Sequence, residues 1–548
     1  MVSNFFDFYP HEKEEDAHLL QVPEMKQNFL IISERAVERL VYESFKRLSF
    51  TFTRSHIDHL IKACLSPDAS DNDRYVLASL LKNAQCSSDY ILPLCQDTGI
   101  AHTFAWIPQG VVLSGSVKSI ISSSVYSVYK DCNLRYSTSV PLSFYEEKDP
   151  QNNLPCQTYL FSEPPSSPFS SGSEQAASFL FCAKGGGSSN KTVFIQGTKA
   201  DLTEEKFVQI LEDKIRGLGT SACPPYTIAA VAGGLSPEQN LLTLKLATCG
   251  YISNEKDTFR DEELEKKVLD IAHNAGYGAQ FGGTQAAVEA VVIRLPRHGA
   301  SCPISIGVSC SAHRNLKAFI TKEGIYLEKT VSNLEELDGF TRAVSYAENK
   351  VSSGNNAEAM REIKTVSVNT EDGIEAMLSS ISQLKPGSRI LLSGSILVAR
   401  DAAHARWKKL IDEGKELPPY TVQYPVCYAG PSRTPDGLCI GSFGPTTAGR
   451  MDSYAELLMS RNAERITLAK GNRSPSWKEA CKKYNSCYLG TIGGAAALIT
   501  NNYITSSEVI DYDDLGMEAV RLVTVKNLPV FMLINGNGED FYDGLRNT

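Results

Sequence analysis

The spacing of apolar residues predicts helices in the first hundred residues of the chain. In the segment 73–85, DRYVLASLLKNAQ, the apolar side chains fall on one helix face: Val76, Leu77, Leu80, Leu81 and Ala84. We expect Asn72 or Asp73 to cap this helix. A later helix is expected from Asp261, where DEELEKKVLDIAHNAG has an acidic first turn and ends at Gly276.

Short apolar segments bounded by turn residues predict strands in the rest of the chain. Before residue 350 they are TVFIQG, YTIAAVAGG and AVVIRLP. After residue 363, the strands TVSV, RILLSGSILVA, RITLAKG and CYLGTIGG alternate with helices, one of them capped by Asp401. We therefore predict an α/β fold. We expect the chain to consist of a mixed α+β domain at 1–350, a linker at 351–363 and an α/β domain at 364–548. The Ser/Pro-rich segment 160–174, LFSEPPSSPFSSGSE, is expected to be a surface loop.

Composition narrows the class of protein. The chain has 548 residues, of which 42% are apolar and 21% charged, as in globular proteins with several domains. Its formal net charge of −9 argues against a nucleic-acid-binding surface. The sequence lacks an apolar run near the roughly 18–20 residues that cross a membrane, so we expect no membrane segment. The acidic start, MVSNFFDFYPHEKEEDAH, favours the cytoplasm over a mitochondrial location.

The cysteines suggest a site assembled from distant parts of the chain. There are fourteen cysteines and no C-x-x-C pair, which argues against a disulfide scaffold and a zinc ribbon. Cys95 in PLCQDTG, Cys223 in LGTSACPPY and Cys310 in IGVSCSAHRN lie among glycine, proline and small polar residues, as in loops that present side chains. Spacing alone does not decide between three buried thiols and a three-cysteine metal site.

Cationic and glycine-rich segments indicate an anionic ligand. KGGGSSNK, residues 184–191, offers backbone N–H groups but lacks the second glycine of a nucleotide P-loop, so an anionic substrate is the better interpretation. Arg400, Arg450 and Lys470 follow predicted strands, where α/β folds bind ligands, and together they suggest a pocket for two or more carboxylates. His298, in LPRHGASCP, lies twelve residues before Cys310, so we expect it within reach of the Cys310 region. A lone histidine is more often a packing residue.

Eleven motifs in order give the chain a family resemblance from about residue 35 to its end. They are PLCQDTG, KGGGSSNK, LGTSACPPY, GAQFGG, LPRHGASCP, GVSCSA, VARDAAHA, YAGPSRTPDG, GPTTAGRMDSY, LAKGNRS and LGTIGG. On these motifs the chain closely resembles the class I, iron–sulphur-dependent fumarate hydratases, which are related to tartrate dehydratases. The resemblance implies that the N-terminal domain binds a [4Fe–4S] cluster through Cys95, Cys223 and Cys310. Three thiolates would leave one iron free to act as a Lewis acid.

The resemblance also implies a set of substrate and catalytic residues. The substrate contacts fall on Gln96, Asp97, Arg135, Gly187, Arg400, Thr446, Arg450 and Lys470. Thr446 matches the position proposed as the base at C3 of malate, Asp97 would handle the proton of the departing water, and His298 completes the catalytic set. An unperturbed threonine hydroxyl is a poor base, so Thr446 would need a charged neighbour such as Arg450 or Lys470.

Some positions depart from the family pattern and leave the substrate open between related dicarboxylates. Thr227 stands where a histidine is usual, and His313 stands where an aspartate is usual. Fumarate is the predicted substrate, with mesaconate or tartrate as alternatives. An electron carrier would need a fourth clustered cysteine, which the sequence does not offer, and a non-catalytic iron sensor would not need Asp97, Arg450 and Lys470. The family also implies a homodimer.

Overall fold

The computed structural model describes residues 29–162, 176–253, 257–347 and 366–543, together with the backbone of two short strands nearer the start of the chain. The predicted linker at 351–363 lies outside the described residues. So does most of the predicted loop at 160–174, whose first two residues end a strand. Both expectations stay predictions.

The helices and strands are distributed over the whole described chain. The α-helices are α1 (Glu34–Phe50), α2 (Arg54–Cys64), α3 (Asp71–Ser87), α4 (Val117–Asp131), α5 (Gly186–Ser189), α6 (Glu204–Arg216), α7 (Pro237–Ala247), α8 (Glu262–His273), α9 (Phe340–Val344), α10 (Ile374–Ile381), α11 (Asp401–Asp412), α12 (Tyr420–Gln423), α13 (Ala455–Met459), α14 (Pro475–Lys483) and α15 (Ala496–Tyr503). The strands up to residue 331 are β1 (Phe6–Tyr9), β2 (Glu24–Lys26), β3 (Phe29–Ile32), β4 (Phe52–Thr53), β5 (Ile100–Trp106), β6 (Val111–Leu113), β7 (Val140–Pro141), β8 (Glu147–Lys148), β9 (Gln157–Phe161), β10 (Ala177–Lys184), β11 (Val193–Gly197), β12 (Tyr226–Gly234), β13 (Phe259–Arg260), β14 (Ala287–Arg297), β15 (Cys302–Ser309), β16 (Asn315–Thr321), β17 (Gly324–Glu328) and β18 (Thr330–Val331). The later strands are β19 (Val366–Asn369), β20 (Arg389–Val398), β21 (Val426–Cys427), β22 (Ile466–Ala469), β23 (Cys487–Gly490), β24 (Ile504–Asp511) and β25 (Val520–Ile534).

Two larger sheets make up most of the N-terminal half. One has the order β1-β17-β16-β10-β5-β9, and α1 and α4 bury their apolar faces on it. The other has the order β11-β15-β12-β14-β13, with α6 and α8 against one face and α7 against the other. Strand β10, which carries KGGGSSNK at its end, is buried along its whole length. These sheets hold the loops after β10 and β15, and the turn before β12, in fixed positions.

The C-terminal half is a seven-stranded sheet that closes on itself. Strands β20, β21, β22 and β23 are parallel neighbours, and β25 pairs antiparallel with both β23 and β20, which completes a ring of five strands. The carboxyl ends of the parallel strands meet at one side of the ring, where α/β folds bind ligands. The predicted α/β fold class is confirmed.

The two halves share one hydrophobic core. Side chains of α2 and α3 pack into the same cluster as the C-terminal sheet. Phe281 stacks on Phe531 with ring centroids 4.0 Å apart, and the Arg389 guanidinium lies 3.8 Å from the centre of the Tyr75 ring. The core thus fixes the position of one half relative to the other. The predicted domain boundaries stay predictions. Among the described residues, none of the helices is both long and apolar enough to cross a membrane.

Both predicted helix caps were wrong, whereas the predicted start of a third helix is confirmed. Helix α3 is capped by Ser70 rather than by Asn72 or Asp73, because the Ser70 hydroxyl accepts from the Asp73 N–H while the Asp73 carboxylate accepts from the Ser70 N–H. Helix α11 has Arg400 as its N-cap, so Asp401 is its first residue. The helix expected from Asp261 is α8, and Asp261 is its N-cap because its carboxylate accepts from the Leu264 N–H. The helix ends at His273, before the expected Gly276.

Candidate active site

Three separate loops bring the selected cysteines to the same region. Cys95 lies between α3 and β5, Cys223 lies just before β12 with a φ of 61°, and Cys310 directly follows β15. The N–H of Ser311 donates to the Cys223 carbonyl at 3.0 Å, which ties the second loop to the third. The N–H of Cys310 donates to the Ser188 hydroxyl at 3.2 Å. Each cysteine is therefore presented from a turn that other loops hold in place.

A buried ammonium group lies among these three sulfurs. Lys470 follows β22, and its Nζ donates to the Cys223 sulfur at 2.8 Å. Burial alone would lower the pKa of Lys470, but the charges of Cys223, Cys95 and Cys310 outweigh burial and raise it. Burial raises the pKa of Cys223 to about 11, although Lys470 acts in the opposite direction. The pocket thus contains a fixed cation that offsets the cost of thiolate charge at this depth.

The donor set fits an iron–sulphur cluster better than a single ion. No group of three or more His, Cys, Asp or Glu side chains in the described ranges converges on one metal ion. A cluster binds each thiolate to a different iron, so it needs thiols that are close without converging on one point. The Cys223 sulfur packs so closely against Gly493 that a side chain is excluded there, because a Cβ atom would lie only 2.2 Å from that sulfur.

One residue that the sequence did not single out holds this arrangement together. Gln280 has its amide Nε2 donating to the Gly493 carbonyl at 2.8 Å and to the Pro224 carbonyl at 3.2 Å. Its Oε1 accepts from the Gly493 N–H at 2.7 Å. The side chain thus clamps Gly493 against the Cys223 turn. The only sequence signal was that Gln280 lies in the motif GAQFGG.

Asp97 is a charged acceptor at the centre of the pocket. One carboxylate oxygen lies 3.1 Å from Nη2 of Arg135, and the other accepts from the Gly186 N–H at 2.9 Å. Burial would raise the pKa of Asp97, but Arg135 and Arg314 outweigh it, with the Gly186 N–H and Lys470, and hold the pKa below its usual range. Asp97 is therefore ionised. Arg314 was not among the predicted site residues, although it lies within the quoted segment IGVSCSAHRN.

The arginines form a cationic cluster on the other side of Asp97. Arg135 donates from Nη1 to the Gly430 carbonyl at 3.1 Å, and a Cβ at Gly430 would lie 2.8 Å from Cζ of Arg400. Two buried guanidinium groups therefore pack against one glycine. Burial lowers the pKa of Arg400, and the charges of Arg135 and Arg450 add to this effect. Guanidinium groups in such a cluster offer forked N–H donors that match the carboxylates of a ligand.

Arg400 and Arg450 each have an acidic partner. Arg400 Nη2 lies 3.1 Å from Glu518, a residue that the sequence did not suggest. Arg450 Nη2 lies 2.9 Å from Asp401, and its side chain is 51% exposed, so it stands at the rim of the pocket. A bound carboxylate would compete with these acids for the guanidinium groups.

The remaining predicted substrate contacts lie close to the same residues. Gln96 is buried and donates from Nε2 to the Pro445 carbonyl at 3.1 Å. Gly187 belongs to α5 and comes close to the turn before Cys223, since a Cβ there would lie 3.3 Å from Cα of Ala222. The buried Thr446 donates its hydroxyl proton to the Tyr428 carbonyl at 3.0 Å, and its own carbonyl accepts from the Lys470 N–H at 3.2 Å.

The fold of one chain does not bring His298 to this pocket. His298 is exposed in the turn between β14 and β15, and its Nδ1 accepts from the Ala300 N–H at 3.2 Å. Cys310 lies beyond the other end of β15, whose 8 residues span roughly 26 Å at about 3.3 Å per residue. The expectation that His298 lies within reach of Cys310 therefore fails within one chain, because an extended strand separates them.

The two departures from the family pattern have partners outside the pocket. Thr227 donates to Glu289 at 3.3 Å. His313 is buried, its Nε2 lies 2.7 Å from the Asn315 amide, and its ring centre is 5.2 Å from that of His56. His56 in turn contacts the Ser311 carbonyl at 2.9 Å, so it is a packed helix residue.

Comparisons with known proteins match almost the whole chain. The family model described as fumarate hydratase matches residues 38–319, and the one described as fumarase C-terminus matches 340–545. The chain is 42% identical over 529 residues to the aerobic class I fumarate hydratase of Escherichia coli K12, covering 95% of this chain and 92% of the relative. It is also 42% identical over 534 residues to the mitochondrial fumarate hydratase 1 of Leishmania major, covering 96% and 92%. A putative L(+)-tartrate dehydratase subunit beta of Methanocaldococcus jannaschii is 29% identical over 167 residues, which is 30% of this chain and 86% of the relative.

Proposed function

The chain belongs to the class I fumarate hydratase family, and we propose that it catalyses the reversible hydration of fumarate to (S)-malate. The observation that carries this proposal is the pocket itself. The Lys470 ammonium contacts the Cys223 sulfur, and the charges of Cys95 and Cys310 also raise its pKa. An ionised Asp97 is paired with Arg135, which lies beside Arg400. A dicarboxylate hydro-lyase needs these features together, because it must bind two carboxylates and move a proton and a hydroxide.

We further propose that Cys95, Cys223 and Cys310 hold a [4Fe–4S] cluster. Support comes from the soft thiolate donors and from the Lys470 cation beside them. When bound, the cluster would supply a Lewis acid that polarises a substrate oxygen. Gln280 would keep the Cys223 turn in place through its contacts with Pro224 and Gly493.

The cationic residues would bind and orient the substrate. Arg135, Arg400 and Arg450 present guanidinium groups, which match carboxylates in a bidentate fashion. Removal of the proton at C3 builds negative charge on the adjacent carboxylate, so cations fixed beforehand stabilise the transition state more than the ground state. Glu518 and Asp401 hold the two C-terminal guanidinium groups in position before substrate arrives.

Two residues would handle protons on opposite sides of the substrate. Thr446 is the proposed base at C3, and the Lys470 charge would favour loss of its hydroxyl proton, because the resulting alkoxide is the form that can accept the proton from C3. Its hydroxyl proton is bonded to the Tyr428 carbonyl, which fixes the orientation of the oxygen. Asp97, ionised and bonded to Arg135 and Gly186, would serve the hydroxyl side.

Fumarate is favoured over mesaconate and tartrate. The similarity that covers most of the chain is to fumarate hydratases, whereas the tartrate dehydratase relative covers 30% of it. The test is to measure hydration or dehydration by anaerobically prepared protein with fumarate, mesaconate and tartrate as separate substrates. The highest kcat/KM is expected with fumarate. A higher value with either of the others would overturn the substrate assignment.

We expect substitution of Arg400 or Arg450 to impair catalysis, because both residues are proposed to bind substrate carboxylates. Arg400→Ala should lower kcat by about 10²–10³-fold, the usual cost of removing one group that stabilises developing charge. Arg450→Lys should also remain poor, because one ammonium cannot replace a bidentate guanidinium. Steady-state kinetics with fumarate checks both variants, with Arg461→Ala as a control, since Arg461 bonds only to its own helix end in the described structure. A kcat/KM near that of the wild type in Arg400→Ala would remove this residue from the proposed site.

If His298 takes part in catalysis, the proposed homodimer is required. Since one chain leaves His298 far from Cys310, a role in catalysis requires the β14–β15 turn of a second copy. Thr446→Ala and His298→Ala should each be inactive alone, but a heterodimer of the two would contain one intact site. Co-expression of differently tagged variants should then recover about a quarter of wild-type activity, as expected for random pairing in a twofold dimer. Absence of any recovery in purified heterodimers would contradict a shared site.

The compartment and the metabolic setting are also proposals. We propose a cytoplasmic enzyme, and from the proposed reaction we infer a role in the tricarboxylic acid cycle. The Leishmania major relative is described as mitochondrial, so localisation of the full chain by microscopy is the direct test.

A further inference from the structure

A second polar cavity lies behind the glycine turn that contacts Asp97. It has a volume of about 180 Å³ and is bounded by the end of β10, by α5 and by α7. Its polar lining consists of two lysines and four hydroxyl side chains: Lys184, Lys245, Ser188, Ser189, Thr192 and Thr248. None of the proposed cluster ligands, substrate contacts or catalytic residues lines it, and Ser188 is the one lining residue that contacts a cluster cysteine among the described residues. The cavity has a buried floor and a rim that reaches solvent at Ser189 and Thr192.

The cavity is positively charged and contains no acid. None of its lining residues is Asp or Glu. Lys184 is buried and uses its ammonium to donate to the Thr248 carbonyl at 3.0 Å, and neither lysine forms an ion pair with another described residue. The charge of these lysines also acts on the neighbouring His102. Burial is the largest cause that lowers the pKa of His102 to about 3, and the charges of Lys245 and Lys184 contribute to the same shift. Burial would raise the pKa of the nearby Cys249, but a hydrogen bond to Cys182 and the charges of Lys184 and Lys245 lower it to about 6, so this thiol offsets part of the lysine charge. The cavity itself is lined by two lysines and no acid, so it favours an anion.

The donor types distinguish this cavity from the proposed active site. The active site presents arginines, whose planar forks suit carboxylates, whereas this cavity presents lysines and hydroxyl groups. Lysine binds phosphate as a compact point charge, and hydroxyl groups can donate to a tetrahedral oxyanion from several directions. The volume of about 180 Å³ admits an ion of phosphate size with a few waters, but it is too small for a nucleotide.

The cavity is connected to the proposed active site through α5. Ser188 lines the cavity, and its hydroxyl also accepts from the Cys310 N–H at 3.2 Å. At the start of the same short helix, the Gly186 N–H donates to Asp97 at 2.9 Å. An anion bound to Ser188 or Ser189 would therefore restrain the same turn that holds Asp97 and Cys310.

We propose that this cavity is a binding site for a phosphate-sized tetrahedral oxyanion, separate from the substrate pocket. The bound anion would neutralise Lys184 and Lys245 and would tighten the turn formed by α5. The ion could be free phosphate or the phosphate group of a small metabolite, both of which present the same charge and shape to the lysines.

Calorimetry with inorganic phosphate tests the proposal on the anaerobically prepared protein. Saturating (S)-malate is added first, so that the substrate pocket is filled. Phosphate is then expected to bind, and Lys245→Gln should weaken the binding at least about tenfold, since it removes one charge and keeps most of the side chain. Lys266→Gln is the matched control, because Lys266 is exposed on α8 and does not line the cavity.

Each outcome decides for or against the site. If phosphate binds equally to the wild type and to Lys245→Gln, the ion binds elsewhere and the proposal is wrong. If malate abolishes phosphate binding, the substrate pocket is the only anion site. A parallel titration with glycerol 3-phosphate distinguishes free phosphate from the phosphate group of a small metabolite. If glycerol 3-phosphate binds as tightly as phosphate, a metabolite is the favoured ligand. The measurement does not use turnover, so it stands even if the proposed reaction is wrong.

Discussion

Replacing Cys95, Cys223 or Cys310 with serine is expected to abolish fumarate hydration and to lower the iron and sulfide content of the anaerobic protein. Each of the three is presented from a different loop, so no neighbouring thiol can take its place. Serine keeps the size of the side chain but is a much harder donor than a thiolate. Activity should fall to the background rate in all three variants, measured together with iron and acid-labile sulfide per chain.

Cys302→Ala is the matched control for these variants. Cys302 is fully buried in β15, eight residues before Cys310, and packs in the core of its sheet. We expect it to keep a full cluster and near-normal activity after correction for stability. If the cluster required Cys302 and not Cys310, the ligand assignment would be wrong.

Thr446→Ala and Asp97→Asn are expected to fail at different bonds. If Thr446 takes the C3 proton, exchange of the C3 hydrogen of malate with solvent deuterium should fall at least as far as turnover in Thr446→Ala. Loss of a general acid or base usually costs about 10²–10⁴-fold. In Asp97→Asn, cleavage of the C–O bond should be impaired while C3 exchange can survive. Proton exchange followed by NMR, beside steady-state turnover, separates the two defects.

Both variants need controls for cluster content and for local geometry. Asp97 adjoins Cys95 and bonds to Gly186, so each variant must first be shown to contain as much iron as the wild type. Thr447→Ala is the matched control for Thr446, since Thr447 is the next residue and its hydroxyl contacts only the Ser221 carbonyl, at 3.5 Å, among the described residues. Undiminished C3 exchange in Thr446→Ala with a full cluster would show that another residue is the base.

Local patterns in the sequence were sufficient for the secondary structure and the family. Short apolar segments located β12 and β20, and helical spacing located α8, whose buried side chains lie on one face. The family predicted from the eleven motifs is confirmed by the comparisons. The caps of α3 and α11 were misplaced, because the folded backbone decides which residue is the cap: Ser70 and Arg400 are extended, whereas Asp73 and Asp401 are already helical.

Contacts between distant segments could not be read from the sequence. Gln280 matters because the loop before β14 folds onto the Gly493 turn, 213 residues further along the chain. Arg314 and Glu518 look like ordinary surface charges until the fold places them beside Asp97 and Arg400. The closed ring of strands depends on the pairing of β25 with β20, which no local pattern indicates.

The position of His298 shows that residues close in the sequence can lie far apart in the fold. Its twelve-residue separation from Cys310 suggested proximity, but an extended strand turns a short sequence separation into a long distance. Conversely, Lys470 is 247 residues from Cys223 and bonds to its sulfur. Sequence distance is therefore a poor guide to which groups share the pocket.

The central claim is that this chain hydrates fumarate with a cluster held by three cysteines. The most direct test measures iron, acid-labile sulfide and the rate of fumarate hydration on the same anaerobic preparations, reconstituted to different extents. We expect the rate to rise in proportion to cluster content, approaching about four irons and four sulfides per chain at full activity. Full hydration activity in protein that lacks acid-labile sulfide would contradict the account.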